Sequence, residues 1–296
     1  MLETLLEPLL QLHPSADLHR GGSLLAALIA AGIGLLIGSF LNVVIHRLPK
    51  MMQREADNYL AHETGQAQPH TDRYNLLTPR SACPHCAAPI AAGYNIPVAG
   101  YLLLRGRCAR CAATISLRYS LVEVFSALVS AWLGWHFGLG AAGLAALLFA
   151  YFLIALSVID AQTQFLPDSL TLPLLWLGLL INLNGIFSPL SDAVLGAAAG
   201  YLSLWAIYWV FRLITGKEGM GYGDFKLMAA LGAWLGWQAL PFILLLASCL
   251  GAVIGIAMVL MKRKAADQTL PFGPYLAIAG MLMLLYGKSF LYFGLY

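Results

Sequence analysis

Charge is what this chain has least of. Only 10% of its 296 residues are Asp, Glu, Lys or Arg, against about 25% in an average soluble domain, while 60% are hydrophobic. Water cannot be the only solvent of such a chain, which excludes a freely soluble globular enzyme. The opening MLETLLEPLLQLHPSADLHR lacks the basic start and following apolar run of a cleavable signal peptide. The first membrane segment is therefore expected to direct insertion itself. No internal repeat is visible, no Gly-rich nucleotide fingerprint follows a strand, and no nucleic-acid partner is expected.

Apolar windows of about 20 residues, enough to cross a hydrocarbon layer of about 30 Å as a helix, recur along most of the chain. They fall near 22–45, 120–139, 141–160, 169–186, 193–214, 225–238, 240–261 and 270–287. The expected fold is an all-α polytopic membrane protein of about eight transmembrane helices. The sixth window is short and Gly-interrupted, and a segment of that kind either dips into the bilayer or tilts through a thinned region. Of 17 Lys and Arg, nine lie between His46 and Tyr119, which marks that segment as cytoplasmic. Eight crossings also put the basic groups Arg212, Lys217 and Lys226, and Lys262, Arg263 and Lys264, on the cytoplasmic side, leaving only Arg20 and Lys288 opposite. If residues 225–238 turned back, the cluster at 262–264 would lie on the wrong side.

Three parts are expected: 1–45, a periplasmic N-terminus with the first span; 46–119, a cytoplasmic metal-binding insertion; and 120–296, a multi-span catalytic part. The insertion is too polar to enter lipid and too small to rest on a hydrophobic core alone. Its polar residues 51–75 read as a mobile or weakly helical stretch. Cys83-Pro-His-Cys86 and Cys108-Ala-Arg-Cys111 supply the missing staple. Two thiolates three residues apart curl around one cation, and two such turns complete a tetrahedron, as in a zinc ribbon. Disulfides are the alternative, but they rarely persist in a reducing cytoplasm. His85 could compete as a ligand, yet four cysteines already close the site, so the metal organises the segment and leaves chemistry elsewhere. Cys249, alone in an apolar span, reads as a small buried hydrophobe.

Carboxylates at membrane depth are costly, and each is a functional candidate. Asp160 ends the third window, Asp168 follows in "LPD", and Asp224 opens the sixth in "GYGDFK". Two carboxylates brought together can share a proton and polarise a water, the logic of aspartic proteolysis. Helix capping and interfacial solvation are the plainer roles for each acid. Gly221 and Gly223 are expected to allow unusual dihedrals and close backbone approach beside Asp224, where an extended substrate would lie. Lys226 could tune the acids, meet the substrate, or snorkel to the interface.

Taken in order, "GSFLNVVIHRLP" (38–49), the double CxxC, "YNIPVAGYLLLRGRC" (94–108), "ISLRYSLVEV" (115–124), "IDAQTQFLPD" (159–168), "GYGDFKL" (221–227) and "LPFGPYLAIAG" (270–280) resemble the type IV prepilin leader peptidases, over nearly the whole chain. The resemblance implies a bifunctional aspartic protease and N-methyltransferase of bacterial inner membranes. It implies Asp160 and Asp224 as the catalytic pair, with Asp168 a structural neighbour. It also implies a prepilin or pseudopilin substrate, cut after glycine on the cytoplasmic side, then methylated with S-adenosylmethionine as donor. Polar candidates for the transferase are Asn42, His46, Arg47, Arg118 and Glu123; helix anchoring explains the arginines equally, and interhelical bonding explains Asn42 and Glu123. Two rivals remain: a peptidase without methylation, and a proton-coupled transporter, whose relay acids belong at the bilayer midplane rather than at one face.

Overall fold

The computed structural model describes residues 23–217, 219–261 and 270–293, the last six without their side chains, as also at Ala92. The expectations for residues 1–22 and for Lys262, Arg263 and Lys264 lie outside the described residues. Among those described there are helices and two isolated antiparallel bridges but no strands. The chain divides into two compact units, residues 1–151 and 152–296.

In the first unit, α1 (Leu24–Glu63) is a single 40-residue helix, started by Ser23, whose side chain accepts the Ala26 N–H at 3.1 Å. It continues through the first part of the stretch 51–75 expected to be mobile or weakly helical and stops at Glu63, so residues 64–75 are not helical. Polarity there was no sign of disorder, because MMQREADNYLAHE is made largely of strong helix formers. Asn58 then pins the returning chain by exchanging two hydrogen bonds with the His70 backbone, and Arg54 pairs with Asp72 at 3.0 Å. A 3₁₀ turn (Ala92–Asn95), the short helix α2 (Ala99–Leu103) and helix α3 (Arg118–Phe137) follow, and α4 (Ala141–Thr163) leads out of the unit.

Helices α1 and α3 run antiparallel along a seam of small residues. A Cβ on Gly38 would lie 2.9 Å from Glu123 Cα, one on Gly34 would lie 2.5 Å from Ser130 Oγ, and one on Gly134 would meet the Ala30 side chain at 2.6 Å. Small residues let membrane helices approach to backbone contact, where dispersion replaces the hydrophobic drive that lipid does not supply. Asn42 Nδ2 donates to the Tyr119 carbonyl at 2.9 Å and extends the same register toward the polar end.

The second unit holds the end of α4 with α5 (Asp168–Ile181), α6 (Leu190–Thr215), α7 (Tyr222–Leu235), α8 (Leu240–Leu260) and α9 (Gly273–Phe293). Pro167 starts α5, and Gly216 and Gly236, both at positive φ, end α6 and α7. Helix α7 is the centre of the unit: Asp224, Phe225 and all residues from Leu227 to Trp234 are buried. Gly196 on α6 faces Gly232 on α7 in direct backbone contact. At the far end of α7, buried Asn182 donates to the carbonyls of Ala233 and Trp234, both at 2.9 Å, and accepts from the amides of Phe187 and Ser188.

Among the described residues, five helices are long and apolar enough to cross a membrane: α1, α3, α4, α6 and α8 with its preceding turn. The chain is therefore an all-helical polytopic membrane protein. Helices α5 and α7 have 14 residues each, about 21 Å, short of the roughly 30 Å of hydrocarbon. Cys249 on α8 is exposed rather than buried, since α8 buries little beyond Leu240, Ile243 and Ala247 and turns the rest of its surface outward.

Candidate active site and metal centre

Asp160 stands in the last turn of α4 and Asp224 in the first turn of α7, with 5% and 8% of their surfaces exposed. Leu166 lies against the surroundings of both: against Gly223, next to Asp224, and against Gly273, beside Asp160. Asp160 Oδ2 accepts the Gly273 N–H at 2.9 Å, at the start of α9, where helical amides point outward and favour an anion. Asp224 Oδ1 is buried with no hydrogen-bond partner among the described residues.

Two glycines shape the space between these acids, and Leu166 fills it. A Cβ at Gly223 would lie 2.7 Å from Leu166 Cβ, and one at Gly273 would lie 2.7 Å from Asp160 Oδ2 and 3.3 Å from Leu166 Cδ2. Gly221 has ordinary extended backbone, φ −82°, and stands clear of its surroundings, so the expectation of unusual dihedrals is corrected: neither motif glycine is left-handed. What Gly223 provides is close approach to Leu166. The turn of α7 carrying Asp224 is fixed by Phe225, packed against the rings of Tyr201, Tyr208 and Tyr222 at 5.3–5.8 Å between centroids.

Asp168 and Lys226 belong to each other. Lys226 Nζ donates to both Asp168 oxygens at 2.6 and 2.7 Å, tying the start of α5 to α7 at the exposed rim. Gly273 carries no mark in a residue-type reading, because it acts through its backbone amide. The available signal was Gly-Pro at a helix start in "PFGP", where Pro fits the first turn.

The four knuckle cysteines converge in the first unit. Their sulfurs lie within 4.8 Å of one another, with Cys83 to Cys111 at 3.8 Å and Cys86 to Cys108 at 4.0 Å. A tetrahedron of Zn–S bonds of about 2.3 Å has edges of about 3.8 Å, so the cage fits such an ion. The two turns are copies: Cys83 N–H bonds Ala88 O and Cys108 N–H bonds Ala113 O, with Ala87 and Ala112 both left-handed at φ 54° and 55°. The N–H groups of Cys111 and then Arg110 hold the Cys108 thiol down to about 6. Cys111, despite the Ala113 N–H beside it, is pushed up to about 11 by desolvation and the neighbouring thiols. His85 is exposed and outside the group.

Of the polar residues at the ends of α1 and α3, most are bound to backbone. Arg47, buried, donates to the carbonyls of Asn75 at 2.9 Å and Pro79 at 2.6 Å. Glu123 Oε2, also buried, accepts the Val98 N–H at 2.8 Å. His46 meets Lys50 at 3.1 Å, and Arg118 is exposed.

The chain matches the type IV leader peptidase family over residues 147–256 and the bacterial peptidase A24 N-terminal domain over residues 33–137. A protein of Aeromonas salmonicida (strain A449) named prepilin leader peptidase/N-methyltransferase is 56% identical over 259 residues, 86% of this chain and 89% of that one. Proteins of the same name from Stutzerimonas stutzeri and Pseudomonas aeruginosa are 54% identical over 264 residues (88% and 91%) and 52% identical over 258 (87% and 89%). No solved structure matches the chain.

Proposed function

The chain belongs to the type IV leader peptidase family, and from that premise we propose that it removes the leader from prepilins or pseudopilins and N-methylates the residue so exposed, with S-adenosylmethionine as donor. The observation that carries the peptidase is a pair of buried carboxylates from two helix ends, one on each side of Leu166's contacts with Gly223 and Gly273. Asp160, which already accepts an amide, suits the role of the carboxylate that takes a proton from water. Asp224, with an oxygen that no donor among the described residues faces, suits the role of the acid that protonates the scissile carbonyl. Water oxygen bonds to the carbonyl carbon, the carbon–nitrogen bond breaks, and the released amine leaves with a proton. Asp168 is then a strut, because its charge is neutralised by Lys226.

For the transferase, Asn42, Arg47 and Glu123 act by holding the segment 75–119 to α1 and α3, since their polar atoms are committed to backbone groups. His46 and Arg118 are the members of that set left to face a ligand. The cysteine cage holds structural zinc: four thiolates close the coordination sphere and leave no open position for reaction. The reading puts the enzyme in the bacterial inner membrane with its acids at the cytoplasmic face, the side marked by the basic segment.

The test is cleavage of a purified prepilin with a labelled methyl donor present. Asp160→Asn and Asp224→Asn are each expected to reduce leader removal to background with metal content retained. Full cleavage by either variant overturns the dyad, and a shortened but unlabelled product from the parent enzyme removes the transferase half.

A further inference from the structure

Between the two cysteine knuckles the chain does something that a soluble metal-binding loop has no reason to do. Residues Tyr94 to Leu104 form a 3₁₀ turn and the short helix α2, and they leave large apolar side chains outside: Ile96 is 53% exposed, Leu102 67% and Leu103 70%. The depth of this segment is fixed by the seam between α1 and α3. Its Val98 amide is bonded to Glu123, five residues inside α3, and Glu123 lies against Gly38, eight residues inside α1 from His46. At 1.5 Å per residue those offsets are about 8 and 12 Å, less the length by which the glutamate reaches back toward the helix start. With His46 and Arg118 taken as the ends of the apolar spans, helix α2 begins at the level of the headgroup–acyl boundary.

The attachment is built at a conformational cost. Val98, β-branched, is held at φ 60°, a region such residues avoid. Gly100 packs against the Tyr94 carbonyl, where no Cβ has room. Around the apolar side chains stand residues typical of a membrane interface: Tyr94 and Tyr119 are exposed, as are Arg105, Arg107 and Arg118.

We propose that residues 96–104 are an interfacial anchor, which seats Ile96, Leu102 and Leu103 among the lipid acyl chains of the leaflet next to the metal site and sets Arg105 and Arg107 against anionic headgroups. The occupant is an anionic phospholipid surface rather than a protein groove, because the apolar residues lie at lipid depth and the flanking charge is of one sign. The metal cage then hangs from the membrane at three places: α1, α3 and this wedge. The inference rests on neither catalytic aspartate nor on any assignment of the methyl donor site.

The full chain, carrying p-benzoylphenylalanine in place of Leu102, Leu103 or Ile96, tests this in nanodiscs of mixed phosphatidylglycerol and phosphatidylcholine. Metal content checks that each variant has folded. Irradiation is expected to add a phospholipid mass about tenfold more often at these positions than at His85 on the exposed knuckle, as an apolar face buried in the interface requires. Phosphatidylglycerol should exceed its share of the disc among the adducts. Equal labelling at 102, 103, 96 and 85 overturns the anchor. So does added prepilin that takes over the adducts at 102 and 103, which would make this surface a substrate groove.

Discussion

Gly273 has no side chain, yet it holds Asp160. Replacing it with alanine puts a Cβ 2.7 Å from Asp160 Oδ2, and the carboxylate has to move. Displacements near 1 Å at a reacting group cost up to about a hundredfold in rate, so Gly273→Ala is expected to lower kcat for leader removal by about that factor with KM nearly unchanged. A variant whose KM rises while kcat holds would assign Gly273 to substrate binding instead. Asp168→Asn and Lys226→Ala should behave differently: the pair sits at an exposed rim, where such bridges contribute about 1 kcal/mol or less, and cleavage should stay within about threefold of the parent. Asp168→Asn falling to background would exchange the roles of Asp168 and Asp160. Asp160 and Asp224 were legible because acids are rare in this chain and each ends or opens an apolar run. The partners of Asp160 were not, because a backbone amide has no letter of its own.

Among the elements, α7 shows why an apolar window of borderline length misleads. The window's two glycines do different things: Gly236 ends the helix, while Gly232 is a contact point that meets Gly196 of α6 backbone to backbone, and a helix packed so closely can be short and still be fully enclosed. The polar lock at its far end is equally invisible in sequence, where Asn182 is one asparagine in a loop. Asn182→Ala would strand the carbonyls of Ala233 and Trp234 and the amides of Phe187 and Ser188 in a buried place. A loss of about 3 kcal/mol is expected, read as a clear fall in Tm in detergent micelles with the metal cage intact. An unchanged Tm would mean that other groups or water satisfy those atoms. Helix α1 teaches the opposite lesson: the polar residues after Lys50 read as a mobile or weakly helical stretch, and the helix runs on through them to Glu63.

At the scale of the whole molecule, the two units carry separate signatures, cysteines in one and aspartates in the other. Metal removal should therefore act locally. Cys→Ser at any of positions 83, 86, 108 or 111, or treatment with a strong chelator, is expected to open the segment 81–115 to added protease while the fragment from 152 onward stays resistant. Unchanged resistance and metal content in all four variants would refute the cage. The all-helical plan was readable because so little charge goes with apolar windows of helix length that recur along the chain. How closely those helices pack was not readable, since it depends on which small residues face one another.

Helix α8 presents nearly all of its girth to the outside, and α7 presents almost none. A change of lipid, from fluid to stiff or from thin to thick, is felt first by a helix as outward-facing as α8. The helix bearing Asp224 is insulated from it by its neighbours, much as an axle is shielded by its housing, so the chemistry keeps its alignment while the surrounding oil varies with temperature and diet.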